Sequence, residues 1–340
     1  MKDFFQTTLA QAPDYFDETI SLIEKGFKYP THHSFLTDFY PLLGPLNHHN
    51  CHLLIDNKKV IGHIAVKERT LHYKGIETPV ALIGGIVIDE RNQQQGNFTP
   101  FFKNIQERYK DDNSLFLLWS DLKSLYNRFE FYEAGGVIQT GTKKLLNENL
   151  SSDWKQTTFK SLSPEDFDQV KDLYANQNNL TLKRSESDWD QIKEITSSNL
   201  YIKKSDVINS YFIKGKGNDL TNIIHEFITS HDPIDQYELF SDYQLWLPEK
   251  YNKVFNKKDI FYSSFMKIAN PILLSNFLRE LTNDQLSINS FMKNEINISY
   301  LNNSFDFKVD EFLTGIFGPT PIKEFEQIIP GIYIGGVDSI

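Results

Sequence analysis

A buried strand that passes through a short loop directly into an amphipathic helix constrains this chain more than any other stretch. Residues 80–89 (VALIGGIVID) form an apolar run bounded by turn residues, which predicts a buried strand. A loop of glutamines with one glycine follows at residues 93–97. The next apolar residues recur at i, i+3, i+4 and i+7 and form one helical stripe: Phe98, Phe101, Phe102 and Ile105.

The loop before this helix favours an anion. A turn that opens onto a helix N-terminus presents unpaired backbone N–H groups and the positive end of the helix dipole. Pro100 stands in the first turn, where its missing N–H costs little. The sequence therefore predicts a phosphate-binding loop at residues 93–97, suited to a pyrophosphate.

A second buried strand and an aromatic segment follow at residues 114–121 (SLFLLWSD) and 125–136 (LYNRFEFYEAGG). Together with the loop they resemble the acyl-CoA-binding core of the GNAT family of N-acetyltransferases. Gln93 and Gly96 match the first two anchors of the family signature R/Q-x-x-G-x-G/A, and Phe98 replaces its small third residue. Tyr126 aligns with the family's general-acid tyrosine, whereas Glu130 stands where the family usually has glycine.

The resemblance implies acetyl-CoA as the cosubstrate, and no metal is expected. In the GNAT fold two parallel strands diverge, and the pantetheine arm pairs with the exposed backbone between them. The residues that would supply this backbone are Ile86, Val87 and Ile88. The loop residues that would hold the pyrophosphate, mainly through peptide N–H groups, are Gln93, Gln94, Gln95, Gly96 and Asn97.

Tyr126 is the predicted general acid, because a phenol with a pKa near 10 suits proton donation to a departing thiolate. The alternative is a core tyrosine whose hydroxyl finds a polar partner. The general base stays open between three groups: the terminal carboxylate of Ile340, as the resemblance to the enhanced-intracellular-survival enzymes described below implies, Asp121 and Glu90. An ordinary docked tail, and a cap for the helix that carries Tyr126, are the structural alternatives for Ile340 and Asp121.

The rest of the chain predicts an α/β protein with an α+β mixed sheet in three parts. Residues 1–150 would form a GNAT acetyltransferase domain with the acyl-CoA site, in which residues 135–147 form the closing strand. Residues 151–260 repeat a strand, two helices and three strands without a glycine loop, which indicates a degenerate second GNAT-like domain. Residues 261–340 would be a small C-terminal domain that begins with a helix at residues 266–281, and its tail would enter the active site.

This tandem order resembles the bacterial enhanced-intracellular-survival acetyltransferases, which carry a sterol-carrier-like C-terminal α+β domain. The resemblance implies transfer of an acetyl group to a primary amine of a small molecule or an exposed lysine of a peptide. It is also compatible with assembly of the chain into a homo-oligomer.

Composition narrows the class of protein. A net charge of −10 argues against a nucleic-acid partner and is compatible with cationic amines. The sequence contains no apolar run long enough to cross a membrane, so no membrane partner is expected. The single cysteine, Cys51, excludes an intramolecular disulfide and fits a reducing cytoplasm.

Two alternatives to acetyl transfer remain at this point. The first is an enzyme that transfers an aminoacyl or long-chain acyl group, because tandem GNAT-like folds also serve that chemistry. The second is a noncatalytic acyl-CoA sensor or scaffold, which the departures at Phe98 and Glu130 suggest.

Overall fold

The structure is a computed structural model that describes residues 5–143, 153–231, 243–251, 253–255, 258–320, 322–323 and 329–340. Residues 144–147 of the predicted closing strand lie outside the described residues. The described helices are α1 (Phe16–Gly26), α2 (Phe35–Asp38), α3 (Tyr40–Leu43), α4 (Phe98–Tyr109), α5 (Lys123–Tyr126), α6 (Pro164–Ala175), α7 (Glu186–Ile192), α8 (Pro271–Leu281) and α9 (Val309–Phe317). None of these helices is long and apolar enough to span a membrane.

The described strands form a large mixed sheet and a separate small sheet. The strands of the large sheet are β1 (Phe5–Thr8), β2 (Cys51–Asp56), β3 (Lys59–Tyr73), β4 (Ile76–Ile88), β5 (Leu115–Leu118), β6 (Tyr132–Lys143), β7 (Trp154–Thr157), β8 (Thr181–Leu182), β9 (Asn199–Lys204), β10 (Ile208–Lys214), β11 (Ile224–Thr229), β12 (Tyr243–Pro248) and β13 (Lys258–Ile268). Their order is β1-β2-β3-β4-β5-β13-β6-β12-β11-β10-β9-β7, and β8 pairs with β3. The small sheet consists of β14 (Leu286–Met292), β15 (Glu295–Tyr300) and β16 (Asn303–Lys308).

The first half of the large sheet, β1 to β5, contains an antiparallel meander of β2, β3 and β4. Asn57 and Lys58 join β2 to β3, and both have positive φ (47° and 60°), as a tight hairpin requires. Lys74 and Gly75 join β3 to β4 in the same way. β4 then runs parallel to β5, and the connection passes through α4.

Strand β13 lies between β5 and β6, although it comes from the far end of the chain. Phe265 pairs with Leu118 of β5 on one side and with Glu133 of β6 on the other. The prediction of a helix from residue 266 is therefore wrong at its start, since residues 266–268 belong to β13. Helix α8 begins at Pro271, after Asn270 accepts hydrogen bonds from the N–H groups of Ile272 and Leu273. The boundary predicted between the second and third domains, at residue 260, falls inside β13.

The second half of the sheet repeats the order of the first. The strands β7, β9, β10, β11 and β12 occupy the places that β1 to β5 occupy, and β11 pairs with β12 in parallel, at Ile224 and Leu245. β12 is followed in the sheet by β6, which comes from the first half, just as β5 is followed by β13. The two halves thus exchange their last strands. Ser163 caps α6 by accepting a hydrogen bond from the Asp166 N–H.

The C-terminal unit packs against the first half, and its final segment returns to the large sheet. Leu286 and Phe312 of the unit belong to the same buried apolar cluster as Leu82 and Leu117. Residues 329–340, called the tail below, begin close to the end of α9 and form a bridge between Ile332 and Leu180.

Candidate active site

A large cavity opens where β4 and β5 diverge. The two strands pair only from Val80 to Leu82 and from Leu115 to Leu117, and β4 continues to Ile88 without this partner. The cavity has a volume of about 1370 Å³. It brings together the predicted site residues except Gln95 and Glu90; those that line it are Ile86, Val87, Ile88, Gln93, Gln94, Gly96, Asn97, Asp121, Tyr126 and Ile340.

A bulge in β4 shapes the exposed strand edge. The pairing register between β3 and β4 shifts between His63 and Ala65, opposite Gly85, whose φ is +57°. The buried His63 ring donates from Nδ1 to the Gly85 carbonyl at 2.7 Å, which fixes the bulge. The backbone from residue 83 to residue 88 therefore faces the gap in a defined conformation and is available to an extended ligand.

The glutamine loop has the alternating backbone that binds anions. Gln94 and Gly96 have positive φ (59° and 79°), between Gln93 and Asn97 with negative φ. Among the described residues, the N–H groups of Gln94, Gln95 and Gly96 have no intramolecular acceptor. Successive N–H groups in such a conformation form an anion-binding concavity, here at the start of α4.

The side chains of Gln93 and Gln95 brace the loop from within. The Gln93 side chain donates to the Ile88 carbonyl at 3.0 Å, and the Gln95 side chain donates to the Arg91 carbonyl at 2.7 Å. Gln95 is exposed and does not line the cavity. Its backbone N–H is the part that remains available for an anion.

Phe98 occupies the position where the family signature has a small residue. Its ring stacks on Phe102 at 5.2 Å and meets Phe129 edge-on at 5.5 Å. The side chain is half-buried in the aromatic cluster beside α4 and also lines the cavity. The larger residue is therefore accommodated by aromatic packing.

Tyr126 ends α5 and is almost fully buried at the cavity wall. The ring is 4% exposed and packs against Phe102, Phe131 and Phe265. Burial raises the pKa of its phenol to about 12, and a hydrogen bond with Ser120 opposes that rise. The phenol is consequently protonated at neutral pH, the state that a proton donor needs.

Asp121 and Glu90, the other two candidate side chains, differ from Tyr126 in their position relative to the cavity. Asp121 is exposed at the cavity, and Ser120, not Asp121, accepts the hydrogen bond from the Leu122 N–H at 3.0 Å. Glu90 lies in the turn after β4 and is not among the residues that line the cavity.

The tail brings Ile340 into the cavity beside β4. Its carbonyl carbon lies 3.1 Å from the point that a Cβ of residue 84 would occupy, so only glycine fits there without displacement. Ile340 is 9% exposed. The structure thus places Tyr126 and the last residue of the sequence at one cavity, although 214 positions separate them along the chain.

A buried ionic network holds the tail. The Asp338 carboxylate accepts from Arg184 at 2.7 Å and from Arg69 at 3.1 Å, and Arg184 also pairs with Glu226. Burial favours the neutral carboxyl, but the two guanidinium groups prevail and lower the pKa of Asp338. Arg69 belongs to β3 and Arg184 follows β8, so both halves of the sheet fasten the tail.

Sequence patterns gave no indication of several residues that line the cavity. These come from the second half and from β13: Lys216, Trp246, Phe261, Tyr262 and Ser263. The Ser263 hydroxyl is buried and, within the described part of the chain, has no hydrogen-bond partner. No local motif marks such residues, because long-range strand pairing brings them to the site.

Cys51 does not line the cavity. Cys51 is fully buried in β2, and burial raises the pKa of its thiol to about 12. Over the described ranges, no group of three or more His, Cys, Asp or Glu side chains is placed to hold a metal ion.

Comparison with known families identifies the N-terminal part of the chain. Residues 9–134 match the family model described as acetyltransferase (GNAT) domain. They form a GNAT acetyltransferase domain. This domain contains the diverging strands, the glutamine loop and Tyr126, and the match confirms the prediction of a GNAT-type acyltransferase enzyme. No curated protein matches the sequence.

Solved structures with the same fold extend over most of the chain. A conserved Enterococcus faecalis V583 protein of unknown function is 12% identical, with a TM-score of 0.60 over 91% of this chain and 86% of its own. A GCN5-related N-acetyltransferase from Anabaena variabilis is 14% identical, with a TM-score of 0.58 over 90% and 85%. Eis1 from Mycobacterium abscessus is 9% identical, with a TM-score of 0.57 over 92% and 90%. These likenesses confirm the predicted mixed α/β fold with a large mixed sheet.

Proposed function

We propose that this protein is an acetyl-CoA-dependent N-acetyltransferase that acts on a primary amine of a small molecule or of an exposed lysine. The observation that carries the proposal is the meeting of Tyr126 and Ile340 at the cavity between β4 and β5. The acetyltransferase match over residues 9–134 supports the reaction class. The loop and strand geometry supports the cosubstrate.

In this proposal the cosubstrate lies along β4. The backbone of residues 86–88 pairs with the amide groups of the pantetheine arm, since β5 leaves that edge without a partner. The N–H groups of the glutamine loop and the start of α4 hold the pyrophosphate. None of these contacts requires an arginine at position 93, so Gln93 is compatible with the role.

The chemical steps need a base for the amine and an acid for the leaving thiolate. The terminal carboxylate of Ile340 takes a proton from the ammonium group of the acceptor, directly or through water. The neutral amine attacks the thioester carbonyl, the carbon–sulfur bond breaks, and Tyr126 donates its phenolic proton to the sulfur. The nitrogen loses a second proton as the amide forms, and transfer of that proton through water restores the Tyr126 phenol. Asp121 is the alternative base, because its carboxylate is exposed at the same cavity.

The wider architecture is part of the proposal. We infer a tandem pair of GNAT-like units, supported by the repeated strand order of the two halves. The C-terminal unit would be a shortened sterol-carrier-like domain that delivers the tail. The single buried thiol of Cys51 suits a reducing cytoplasm, where we place the enzyme.

A second candidate is the transfer of an aminoacyl or long-chain acyl group. The cavity volume of about 1370 Å³ favours it, because typical ligand pockets occupy about 300–1,000 Å³. Aromatic side chains such as Trp119, Trp246 and Phe261 would surround a longer acyl group. Mass spectrometry of any acyl-CoA that copurifies with the protein separates the two candidates.

The test of the main proposal is thiol release from acetyl-CoA with a panel of amines. Wild-type protein should release CoA only when an amine acceptor is present, and Tyr126→Phe should lower the rate strongly. Tight binding of acetyl-CoA without turnover on any amine would instead favour a noncatalytic sensor.

A further inference from the structure

We propose that Lys216, from the second half of the sheet, positions the last residues of the tail inside the acetyltransferase cavity. Its role is to hold the main chain at Gly336 and Ser339 so that Ile340 lies against β4. The catalytic consequence rests on the proposed function, whereas the effect on the tail does not. Lys216 is therefore a positioning residue that acts through the tail.

The Lys216 ammonium group binds the tail directly. Lys216 is 3% exposed, and its Nζ donates to the Gly336 carbonyl at 3.0 Å and to the Ser339 carbonyl. Nζ also lies 4.5 Å from the centre of the Phe39 ring. A buried ammonium group with these partners costs much free energy to displace, because both carbonyls would be left without their charged donor.

The loop that carries Lys216 is built for close approach. Gly215 and Gly217 on either side have positive φ (73° and 53°), which glycine adopts readily. A Cβ at residue 217 would lie 2.3 Å from the Tyr29 hydroxyl and 2.6 Å from an Asp38 carboxylate oxygen. The loop thus reaches the first half only because residue 217 has no side chain.

The tail forms a tight turn where Lys216 binds it. The Ser339 N–H donates to the Gly336 carbonyl at 3.3 Å, and the Asp338 N–H donates to the Gly335 carbonyl at 3.0 Å. A Cβ at residue 336 would lie 2.5 Å from the His225 ring. Lys216 therefore holds both ends of a tight turn whose next residue is Ile340.

The buried ionic network cannot do this alone. Arg184 and Arg69 bind the Asp338 side chain, two residues before Ile340, and neither binds the backbone of Ser339. The Ser339 carbonyl is adjacent to Ile340, and Lys216 binds that carbonyl. The carboxylates of Asp338, Asp38 and Asp219 favour the charged lysine, while burial, the larger effect, lowers its pKa to about 7.

The inference is tested with Lys216→Met, which keeps the volume and removes the donors, and with Lys214→Met as the matched control. Lys214 is half-buried, two residues earlier, and does not line the cavity. Hydrogen–deuterium exchange followed by mass spectrometry reports the tail amides. Exchange in residues 336–340 should accelerate about tenfold to a hundredfold in Lys216→Met and stay unchanged in the control.

Steady-state kinetics supply the second readout. In Lys216→Met we expect kcat to fall at least about tenfold while KM for acetyl-CoA stays within about threefold, because the acyl-CoA contacts are on β4 and the loop. Lys216→Gln keeps two N–H donors without the charge. Its kcat and its tail exchange rate should lie between those of wild-type protein and Lys216→Met. If Lys216→Met does not fold, Lys216→Gln carries both measurements.

The outcomes separate the two proposals. Unchanged tail exchange in a folded Lys216 variant overturns the positioning role, whatever the activity. A change confined to KM for the amine also overturns it, since Lys216 would then bind substrate. Absence of turnover in wild-type protein contradicts the proposed function but leaves the exchange result valid.

Discussion

Gly84 and Ile340 are in contact across the cavity, and the contact exists because residue 84 has no side chain. The Ile340 carbonyl carbon and its Cγ1 atom lie 3.1 and 3.2 Å from the point that a Cβ on residue 84 would occupy. The Leu42 side chain lies 3.0 Å from the same point. The tail therefore packs against the strand that we assign to acetyl-CoA in the space that a side chain at residue 84 would fill.

The substitution Gly84→Ala should displace the tail more than it disturbs the fold. The new methyl group must move Ile340 or Leu42 by a few tenths of an ångström, and overpacking of this kind costs about 1–3 kcal/mol. We expect kcat to fall at least about tenfold, since the proposed base moves. Amine kinetics and a urea denaturation curve measure both effects, and an unchanged kcat would contradict the assigned role of the tail.

The substitution Tyr126→Phe should lower kcat by about 10²–10⁴-fold, the usual contribution of a general acid. Stability should change little, because the hydroxyl contributes one hydrogen bond while the ring keeps its aromatic contacts with Phe131 and Phe265.

The pH profile gives an independent check on Tyr126. Since burial raises its pKa to about 12, the phenol stays protonated at lower pH and loses its proton only as pH approaches that value. The rate should therefore show no alkaline loss from this group below about pH 11. A loss near pH 10 that disappears in Tyr126→Phe would argue against the buried phenol.

The substitution Glu130→Gly should be tolerated. Glu130 has φ +65°, where a non-glycine residue is strained by about 1–2 kcal/mol, and its ion pair with Lys267 is partly exposed. Relief of strain offsets the lost ion pair and the extra flexibility of glycine, so stability should stay within about 1 kcal/mol. The matched change Glu133→Gly, in regular strand β6, should cost about 0.5–1 kcal/mol. Denaturation curves of Glu130→Gly and Glu133→Gly measure the free energy of unfolding of each variant and test both expectations.

Acid should destabilise the protein between about pH 6.5 and pH 4. Burial lowers the pKa of His63 and His225 from 6.5 to about 4, and that of His52 to about 3. In this pH range the histidines bind protons in the unfolded chain but stay neutral in the folded protein. The free energy of unfolding is therefore highest above pH 6.5 and decreases as pH falls through the folded pKa values. The effect is about 1.4 kcal/mol per unit of pKa shift.

Urea denaturation at pH 7.5 and pH 4.5 measures this loss. The exposed His32 supplies a control, because His32→Asn should leave the difference unchanged. Equal midpoints at the two pH values would show that these histidines are not buried in the neutral form.

The substitution Asp338→Asn should destabilise the protein by about 3–5 kcal/mol, because it leaves buried guanidinium groups with too little negative charge. Arg69 also approaches Asp188, and Arg184 keeps Glu226, so the network does not vanish entirely. The surface substitution Asp166→Asn removes only an exposed pair with Lys204 and should cost about 1 kcal/mol or less. A similar cost for both variants would contradict the role of Asp338 in fastening the tail.

Much of the local structure could be predicted because short-range patterns encode it. The apolar run at residues 80–89 predicted a buried strand, and the helical stripe from Phe98 to Ile105 predicted α4. The start of α6 is likewise set by a local feature, the cap at Ser163. In each case the residues that decide the conformation lie within one or two turns of each other.

The prediction failed where a segment had two plausible local conformations. Residues 266–268 precede a good helix start and have no strand pattern of their own, yet they pair with β5. Their strand conformation depends on pairing with the edge of β5, a strand that precedes them by the whole second half of the sheet.

The sequence by itself determined the strand, the glutamine loop and the helix of the candidate cofactor site, since backbone conformation and apolar periodicity there depend on neighbouring residues. Only the tertiary structure decided what surrounds the candidate catalytic groups. Tyr126, Lys216 and Ile340 meet because β13 and β6 exchange between the halves and the tail returns to β4. Such contacts depend on long-range strand pairing and on space left by a missing side chain at Gly84, and neither leaves a periodic signal in the sequence.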